Sequence, residues 1–551
     1  MYDSFLDSLF ERIDAEHDAL ADPQSYSEFG EELRVMLDSE VLQLLNGLLQ
    51  RSPLPGENSV LRFLEFVFGN LLQRAREEHQ SGRFAGPDGE SMDADPAVLG
   101  ESDAQLLDRI ERLYRSLPPA AMARNQLLGW LAYLLHAAAA DRFVSLLVED
   151  PPLNSRAIVI SFKPLFDDSP LPVHQLFPRI LEAIQYVEIA AAVIDLANFL
   201  FRDGRVQVHP AAQRRQQLAA MLDALVDNLA GIEGGRLPER ADPESTARQL
   251  ENSVALSVSL CDALALIDDR DALPTLRRVA RLTHRRIRTE AAAALLRLGD
   301  QQGRQMLLEL LNEPVARLRV LAYASELGFA DQVPQEFLTE ESRAESELAI
   351  WLSQPTQLGF APSHLQVVHR QTMFWPGFED PVDCFLVRFE FSSAAGVLQN
   401  VGIVGPLTFV FAADMSRLSR WDCYAAYAGW QAQSDEIFDV AYEKACVAWR
   451  NESDQLLRVI ESSGYREIQP QFVGVFFGEK VLVCAAVDRD DSARNTGCVI
   501  VDQEQTNWFP CGSELAPVCA DLAWCIYRGR RLLRHFNPQL EDLLAAEPIQ
   551  T

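Results

Sequence analysis

Apolar residues recur at three- and four-residue steps through the first three fifths of the chain, the period of helices with one buried face. Phe5, Leu6, Leu9, Phe10 and Ile13 form one such face. Two more apolar helical segments follow near 28–50 and 58–77, separated by Ser52-Pro53-Leu54-Pro55-Gly56, so residues 1–77 read as an N-terminal helical region. Between 78 and 103 the pattern lapses. Gly82, Gly86, Pro87, Gly89, Asp93, Asp95 and Pro96 crowd together with few large apolar residues, which predicts a flexible acidic linker or loop. Residues 104–340 then alternate helical patterns with short breaks at proline, aspartate and glycine. The longest apolar run, Leu127 to Ala140, is interrupted by His136. It is too short to span a bilayer and reads as a buried helix.

After about Gln354 the period shortens. Asp383–Phe391, Gly402–Phe411, Phe472–Phe477, Val481–Val487 and Cys498–Val501 are short, β-branched or aromatic, and partly alternating. Gly478-Glu479 sits between two of these runs and predicts a hairpin turn. Helices are expected near 434–463 and 516–536. In the first, Ile437, Phe438, Ala441, Ala445, Ala448 and Trp449 fall at helical spacing. Residues 355–551 therefore read as an α+β domain folded around an antiparallel sheet, because strands joined by short turns pair antiparallel.

Within the helical part the chain resembles itself. Leu266-Ile-Asp268 through Leu276 aligns with Leu298-Gly-Asp300 through Leu308, and Asp271-Ala-Leu-Pro274 returns as Asp331-Gln-Val-Pro334. A period near thirty residues with two helices per unit means stacked repeats, since one unit cannot bury its apolar face alone. The stretch Ile287-Arg-Thr-Glu-Ala-Ala-Ala-Ala-Leu-Leu-Arg-Leu-Gly299 resembles the second helix of a short HEAT-like (armadillo-type) repeat, a variety also found in phycobilin-lyase-type proteins. The resemblance is clear over about 252–340. A weaker echo, Leu146-Leu147 through Pro151 to Arg156 beside Leu310-Leu311 through Pro314 to Arg319, extends divergent units back to about 141. In the Leu318 unit, Leu327-Gly328 arrives two residues early. The fold class expected is mainly α: a HEAT-like α-solenoid over 104–340 with the N-terminal helical region and the C-terminal α+β domain attached. Arg288 and Arg319 are expected to bond inter-repeat aspartates, Asp268 and Asp300 first among them.

Composition narrows the partners. The 551 residues carry a net charge of −31, which repels phosphate backbones and anionic lipid surfaces. Nucleic-acid and membrane partners are disfavoured. Only Lys163, Lys444 and Lys480 are lysines, so nearly all positive charge is arginine, suited to bidentate pairing with carboxylates. Nine cysteines, an odd number without framework spacing, fit a reducing compartment. The N-terminal MYDSFLDSLF has no basic segment of a secretory leader. A cytoplasmic location is expected.

Against this acidic background one cluster reverses sign. Arg277, Arg278, Arg281, Arg285 and Arg286, with Arg288, have no acid among them between Asp271 and Glu290, and form a candidate surface for acidic segments of a protein partner. A second basic group is Arg528, Arg530, Arg531, Arg534 and His535. Trp421, Tyr424, Tyr427 and Trp430 form an aromatic stripe that either lines a groove or packs a helix onto a sheet. Eight cysteines fall after residue 380, yet none are spaced as metal ligands. Cys511, in a Phe-Pro-Cys-Gly-Ser turn, is linked to no histidine by spacing. Phosphate loops, zincin motifs and nucleophile elbows are missing, so no catalytic, cofactor-binding or metal-ligating residue is assigned. Two functions remain open: a protein–protein interaction scaffold or adaptor, and an enzyme or small-molecule sensor with its pocket in the C-terminal domain.

Overall fold

The computed structural model describes residues 9–10, 29–51, 58–80, 101–134, 137–167, 173–236, 242–354, 356–393, 396–432, 434–489, 495–502, 505–510 and 520–540. Phe5, Leu6 and Ile13, the break at 52–56, the linker from 81 to 100, Cys511 and Cys519 lie outside the described residues. The chain divides into two units, Met1–Leu307 and Leu308–Thr551.

The first unit is helical throughout its described residues. Its helices are α1 (Gly30–Val35), α2 (Asp38–Gln50), α3 (Asn58–Gln80), α4 (Glu101–Ser116), α5 (Met122–Tyr133), α6 (Ala137–Glu149), α7 (Ile158–Phe166), α8 (Val187–Arg202), α9 (Arg215–Glu233), α10 (Pro243–Leu266), α11 (Leu273–Val279) and α12 (Arg285–Arg297). They stack in two layers. One runs α1, α3, α5, α7, α8, α10, α12, each packed on the next. The other contains α2, α4, α6 and then, beyond a 3₁₀ segment at Arg179–Gln185, α9 and α11. A single apolar core runs from Leu9 to Leu298. The helices before residue 80 join the same stack as those after 101, because α3 packs on α5. This is the continuity a solenoid needs: each apolar stripe is buried by its neighbours.

The ends of α10 and α12 explain the repeat. The residue after the cap of α10 is Asp268, with φ of 57°, and the equivalent after α12 is Gly299, with φ of 89°. Both are left-handed, and the amides of Asp269 and Asp300 bond back to the carbonyls of Leu264 and Leu295. Such a left-handed stop satisfies carbonyls that a helix end leaves open. Asp268 thus matches Gly299, one residue away from the Asp268–Asp300 alignment that letter identity suggests.

The second unit opens with α14 (Pro314–Glu326), which follows α13 (Gln302–Leu310), and α15 (Glu340–Leu352). Gly328, with φ of 72°, ends α14 as Gly299 ends α12, but after 29 residues rather than 31. This is the early Leu327-Gly328 of the sequence. Residues 255–327 contain helices and turns and no strand, as expected for HEAT repeats.

Two antiparallel sheets follow, where a single one was expected. The first has order β1 (His364–Met373), β2 (Val382–Ser393), β3 (Gly396–Val404). The second has order β4 (Ile437–Ala441), β5 (Arg466–Phe476), β6 (Glu479–Val487), β7 (Thr496–Val501), β8 (Thr506–Pro510). The helix expected over 434–463 is also corrected. Ile437, Phe438 and Ala441 lie on β4, paired with Phe476, Val475 and Phe472 of β5, and α17 begins only at Val447 and ends at Ser462. Main-chain pairing with β5 overrides a spacing that fitted either period. Leu407–Phe411 does not continue as a strand. Gly405 turns at φ of 122°, leaving only the bridge Ile403–Phe409, and the Asn400 side chain donates to the carbonyls of Phe411 and Ala413. The β5–β6 turn sits one residue earlier than expected. Phe477 and Gly478 both have positive φ, the signature of a type I′ hairpin, and Glu479 already belongs to β6.

Each sheet lies between two helices. On the first, α15 covers Phe385, Val387, Phe389 and Phe391 with Ala344, Leu348 and Leu352. The opposite face, Cys384, Leu386, Val401 and Ile403, is covered by α16 (Arg420–Gln431). On the second, Ile460 of α17 packs with Val473, Leu482, Cys484 and Val499. The other face takes Trp524 and Tyr527 of α18 (Ala520–Phe536) over Phe472, Val483 and Ile500. The two halves repeat one plan: a helix, an antiparallel meander, and a helix. The central helices carry the repeat in their letters, Tyr424-Ala-Ala-Tyr427-Ala-Gly429 against Trp524-Cys-Ile-Tyr527-Arg-Gly529. They meet reciprocally. A Cβ on Gly429 would stand 2.0 Å from the carbonyl oxygen of Cys525, and one on Gly529 1.7 Å from that of Ala425. Such exchange of partners is what an approximate twofold between α16 and α18 produces. The unit is an internally duplicated pair of α/β layers, joined where only glycine permits the approach.

Candidate interaction surfaces

The arginine cluster lies on α11, the following turn and the first turn of α12. The structure spends part of it internally. Arg277 Nε donates to Asp300 Oδ2 at 2.9 Å, and Arg278 pairs with Asp223 and Asp227 on α9. Thr283 closes the turn, its amide and hydroxyl donating to Glu233 at 2.8 and 2.7 Å. Arg281 and Arg286 are exposed and Arg288 half-buried, and none of their side chains makes a hydrogen bond or ion pair among the described residues. Arg286 is within electrostatic reach of Asp195 on α8. No acid occupies the first turn of α12, so cations gather at the positive end of the helix dipole.

The expected use of Arg288 and Arg319 is corrected. Asp300 is held by Arg277 and Asp268 by Arg270, while Arg319 donates to the Tyr323 hydroxyl at 2.8 Å and stacks on its ring. Other arginines brace the repeats. Arg124 is buried, donates twice to the Leu117 carbonyl, reaches Asp150 at 2.8 Å, and lies over Tyr114. In the second unit Arg317 does the same. It donates to the Leu311 carbonyl at 2.9 Å and to the carbonyl and hydroxyl of Ser342 at 2.9 and 2.8 Å, over Phe337. Sequence reading missed both. The signal available was an arginine in the first turns of a helix, six or seven residues after a leucine. Between α8, α10 and α12, Asp262 is clasped by Arg202 and Arg297, while burial raises its pKa against their opposing pull.

The aromatic stripe is core. Trp421 is 6% exposed, Tyr424 and Tyr427 are fully buried, and only Trp430, at 40%, reaches the surface, where it stacks on Phe409. Tyr424 donates to the Cys384 carbonyl at 3.2 Å and lies 3.0 Å from His369 Nδ1. Tyr427 donates to the Val401 carbonyl at 2.6 Å. Burial pushes both phenols up and His369 down. The stripe fastens α16 to the first sheet.

The second basic group is also used internally. Arg530 pairs with Asp422 at 2.6 Å, Arg531 pairs with Glu479 and donates to Tyr527 at 2.9 Å, and Arg528 lies over Trp524. Cys384, Cys423 and Cys484 are buried, their thiols pushed up to about 12 by burial, so they stay protonated and unreactive. Cys446 is exposed. Among the described residues no three His, Cys, Asp or Glu side chains stand together as a metal site. Likewise, no described helix is long and apolar enough to cross a membrane.

Residues 251–328 match the family model for HEAT repeats, the segment that spans α10 to α14. That segment is built of HEAT repeats. No curated protein matches the chain.

Proposed function

We propose that the protein is an interaction scaffold whose helical solenoid holds an acidic segment of a partner protein at the turn between α11 and α12. The observation that carries this is the trio Arg281, Arg286 and Arg288, whose side chains make no hydrogen bond or ion pair among the described residues, in a chain of net charge −31. Nearby Arg277 and Arg278 pair with aspartates, so acids are within reach of this face, and among the described residues the trio has no such partner. Three like charges beside a helix N-terminus repel one another and the dipole, and a carboxylate-bearing partner relieves both. Stacked repeats suit an extended partner, because their surface continues from unit to unit. Burial of Trp421, Tyr424 and Tyr427 removes the support the sensor or enzyme reading drew from that stripe.

The test is fluorescence anisotropy of a labelled poly-glutamate peptide with the full chain and with the R281E/R286E/R288E variant. Binding should weaken as salt rises and fall by about tenfold or more in the variant. Equal binding by both proteins, or none at low salt, would overturn the proposal. Single-stranded DNA bound as well as the peptide would show a general anion surface and overturn the assignment to a protein partner.

A further inference from the structure

The two halves of the second unit differ at one edge. In the second sheet, β7 is paired along its outer side by β8, from Thr506 to Pro510. In the first sheet, β3 has no such neighbour among the described residues. Its return segment bridges only at Ile403–Phe409 and then leaves for α16. Ile403 exchanges both main-chain bonds with Phe409, so every second residue of β3 points its amide and carbonyl outward. At Val401 these are satisfied, the amide by Asn400 Oδ1 at 2.8 Å and the carbonyl by the Tyr427 hydroxyl. Next in that parity come Gln399 and Val397, for which the described residues supply no outward partner. Among the described residues, two amides and two carbonyls therefore stand without a partner in a row.

The side chains there are uncharged, and two of the three, Val397 and Leu398, are apolar. Val397 is 63% exposed and Leu398 60%. Leu398 lies opposite Phe391, whose ring meets Phe360 edge-on at 4.8 Å, and Phe360 is itself 58% exposed. Edge strands are ordinarily protected by bulges or charge. The far edge of this sheet is: β1 carries a bulge between Val367 and His369, and Arg370 there is paired with Glu341 and Asp383. The β3 edge has neither device at 397–399.

We propose that the outer edge of β3 at Val397–Gln399 is a docking site for an extended apolar segment of a partner protein, added as a further strand. The available area selects this occupant. Leu358, Phe360, Val397 and Leu398 together uncover on the order of 400 Å² of apolar surface, about half of what each side of a stable interface between folded proteins buries. A single strand needs less, because its main-chain bonds supply affinity and its alternate side chains specificity. In the second sheet the corresponding place is filled from within by β8. This surface is separate from the arginine turn, and either can fail without the other.

The test uses the full chain. A phage-displayed library of random peptides is panned on the wild type and counter-panned on Q399P, which removes one outward amide and no ladder bond. L398E is a second variant on the same edge, and thermal melts check that both fold. The expected result is enrichment of peptides with alternating apolar residues that bind the wild type and bind either folded variant about tenfold more weakly or worse. Peptides that bind wild type and variants equally, or a library that yields none, would overturn the proposal. So would concentration-dependent dimerisation of the wild type abolished by L398E, which would give the edge to a second copy of the chain.

Discussion

Replacing Gly529 by alanine sets two physical effects against each other. Alanine is the better helix former by about 1 kcal/mol, so at an open position the change should stabilise α18. At this position the new methyl would stand 1.7 Å from the Ala425 carbonyl oxygen, 2.5 Å from its carbon and 2.9 Å from its Cα. All three are main-chain atoms of α16 and cannot swing away. Relief requires the helices to part by about 1.5 Å, and a gap of even 0.5–1 Å forfeits a quarter to a half of the dispersion attraction across it. Overpacking of this kind costs about 1–3 kcal/mol or more. Here the reciprocal contact at Gly429 loosens as well, so we expect a loss near the top of that range, about 3 kcal/mol, and about 2 kcal/mol after the propensity gain. For a unit of this size that is a fall of about 4–8 °C in Tm. Tryptophan fluorescence during urea or thermal unfolding reports the right unit, since seven of the eight tryptophans lie beyond residue 308. G429A should behave alike, its methyl meeting the Cys525 carbonyl at 2.0 Å, and the double variant should cost less than the sum, because the first change opens space for the second. A rise in stability on G529A would refute the close crossing and with it the duplicated architecture.

Three further outcomes are expected. His209 is buried, its Nε2 3.0 Å from Asn198 Oδ1 and its Nδ1 accepting from the Ala211 amide, and burial alone draws its pKa down to about 4. The unfolded chain then binds the extra proton first, so the contribution is whole above pH 6.5 and lost as pH falls towards 4, by about 3 kcal/mol in all; H209Q should flatten that part of the stability–pH curve. Arg317→Met should lower the urea midpoint by the equivalent of about 3 kcal/mol, since it strips donors from the Leu311 and Ser342 carbonyls, and an unchanged midpoint would show that the arginine braces nothing. Tyr427→Phe should cost about 1–2 kcal/mol in thermal unfolding by leaving the Val401 carbonyl without its donor, and a neutral result would contradict the bond.

The helical stack was legible because its signal is local. Periodic apolar faces and the breaks at Asp268, Gly299 and Gly328 are written in consecutive letters. Their register was not, because left-handed backbone, rather than side-chain identity, aligns Asp268 with Gly299. β4 escaped notice for a related reason: Ile437 to Trp449 satisfies a helical spacing, and only β5, far along the chain, decides otherwise. The internal duplication leaves few matching letters, chiefly a tyrosine and a glycine in each central helix. Three dimensions reveal it through the exchanged contacts of Gly429 and Gly529. At the candidate surface the excess of arginine could be read directly. Which arginines are spent could not, since Asp223 and Asp227 lie some fifty residues upstream of Arg278. The aromatic stripe was ambiguous in sequence because core and groove use the same residues, and burial alone separates them.

The most direct measurement of the scaffold proposal is amide hydrogen exchange of the full chain with and without the poly-glutamate peptide. If the solenoid holds an acidic segment at these arginines, added protection should centre on residues 280–288, the turn after α11 and the start of α12, and disappear in R281E/R286E/R288E. Peptide binding with no protection there, or with protection that survives in the variant, would contradict it.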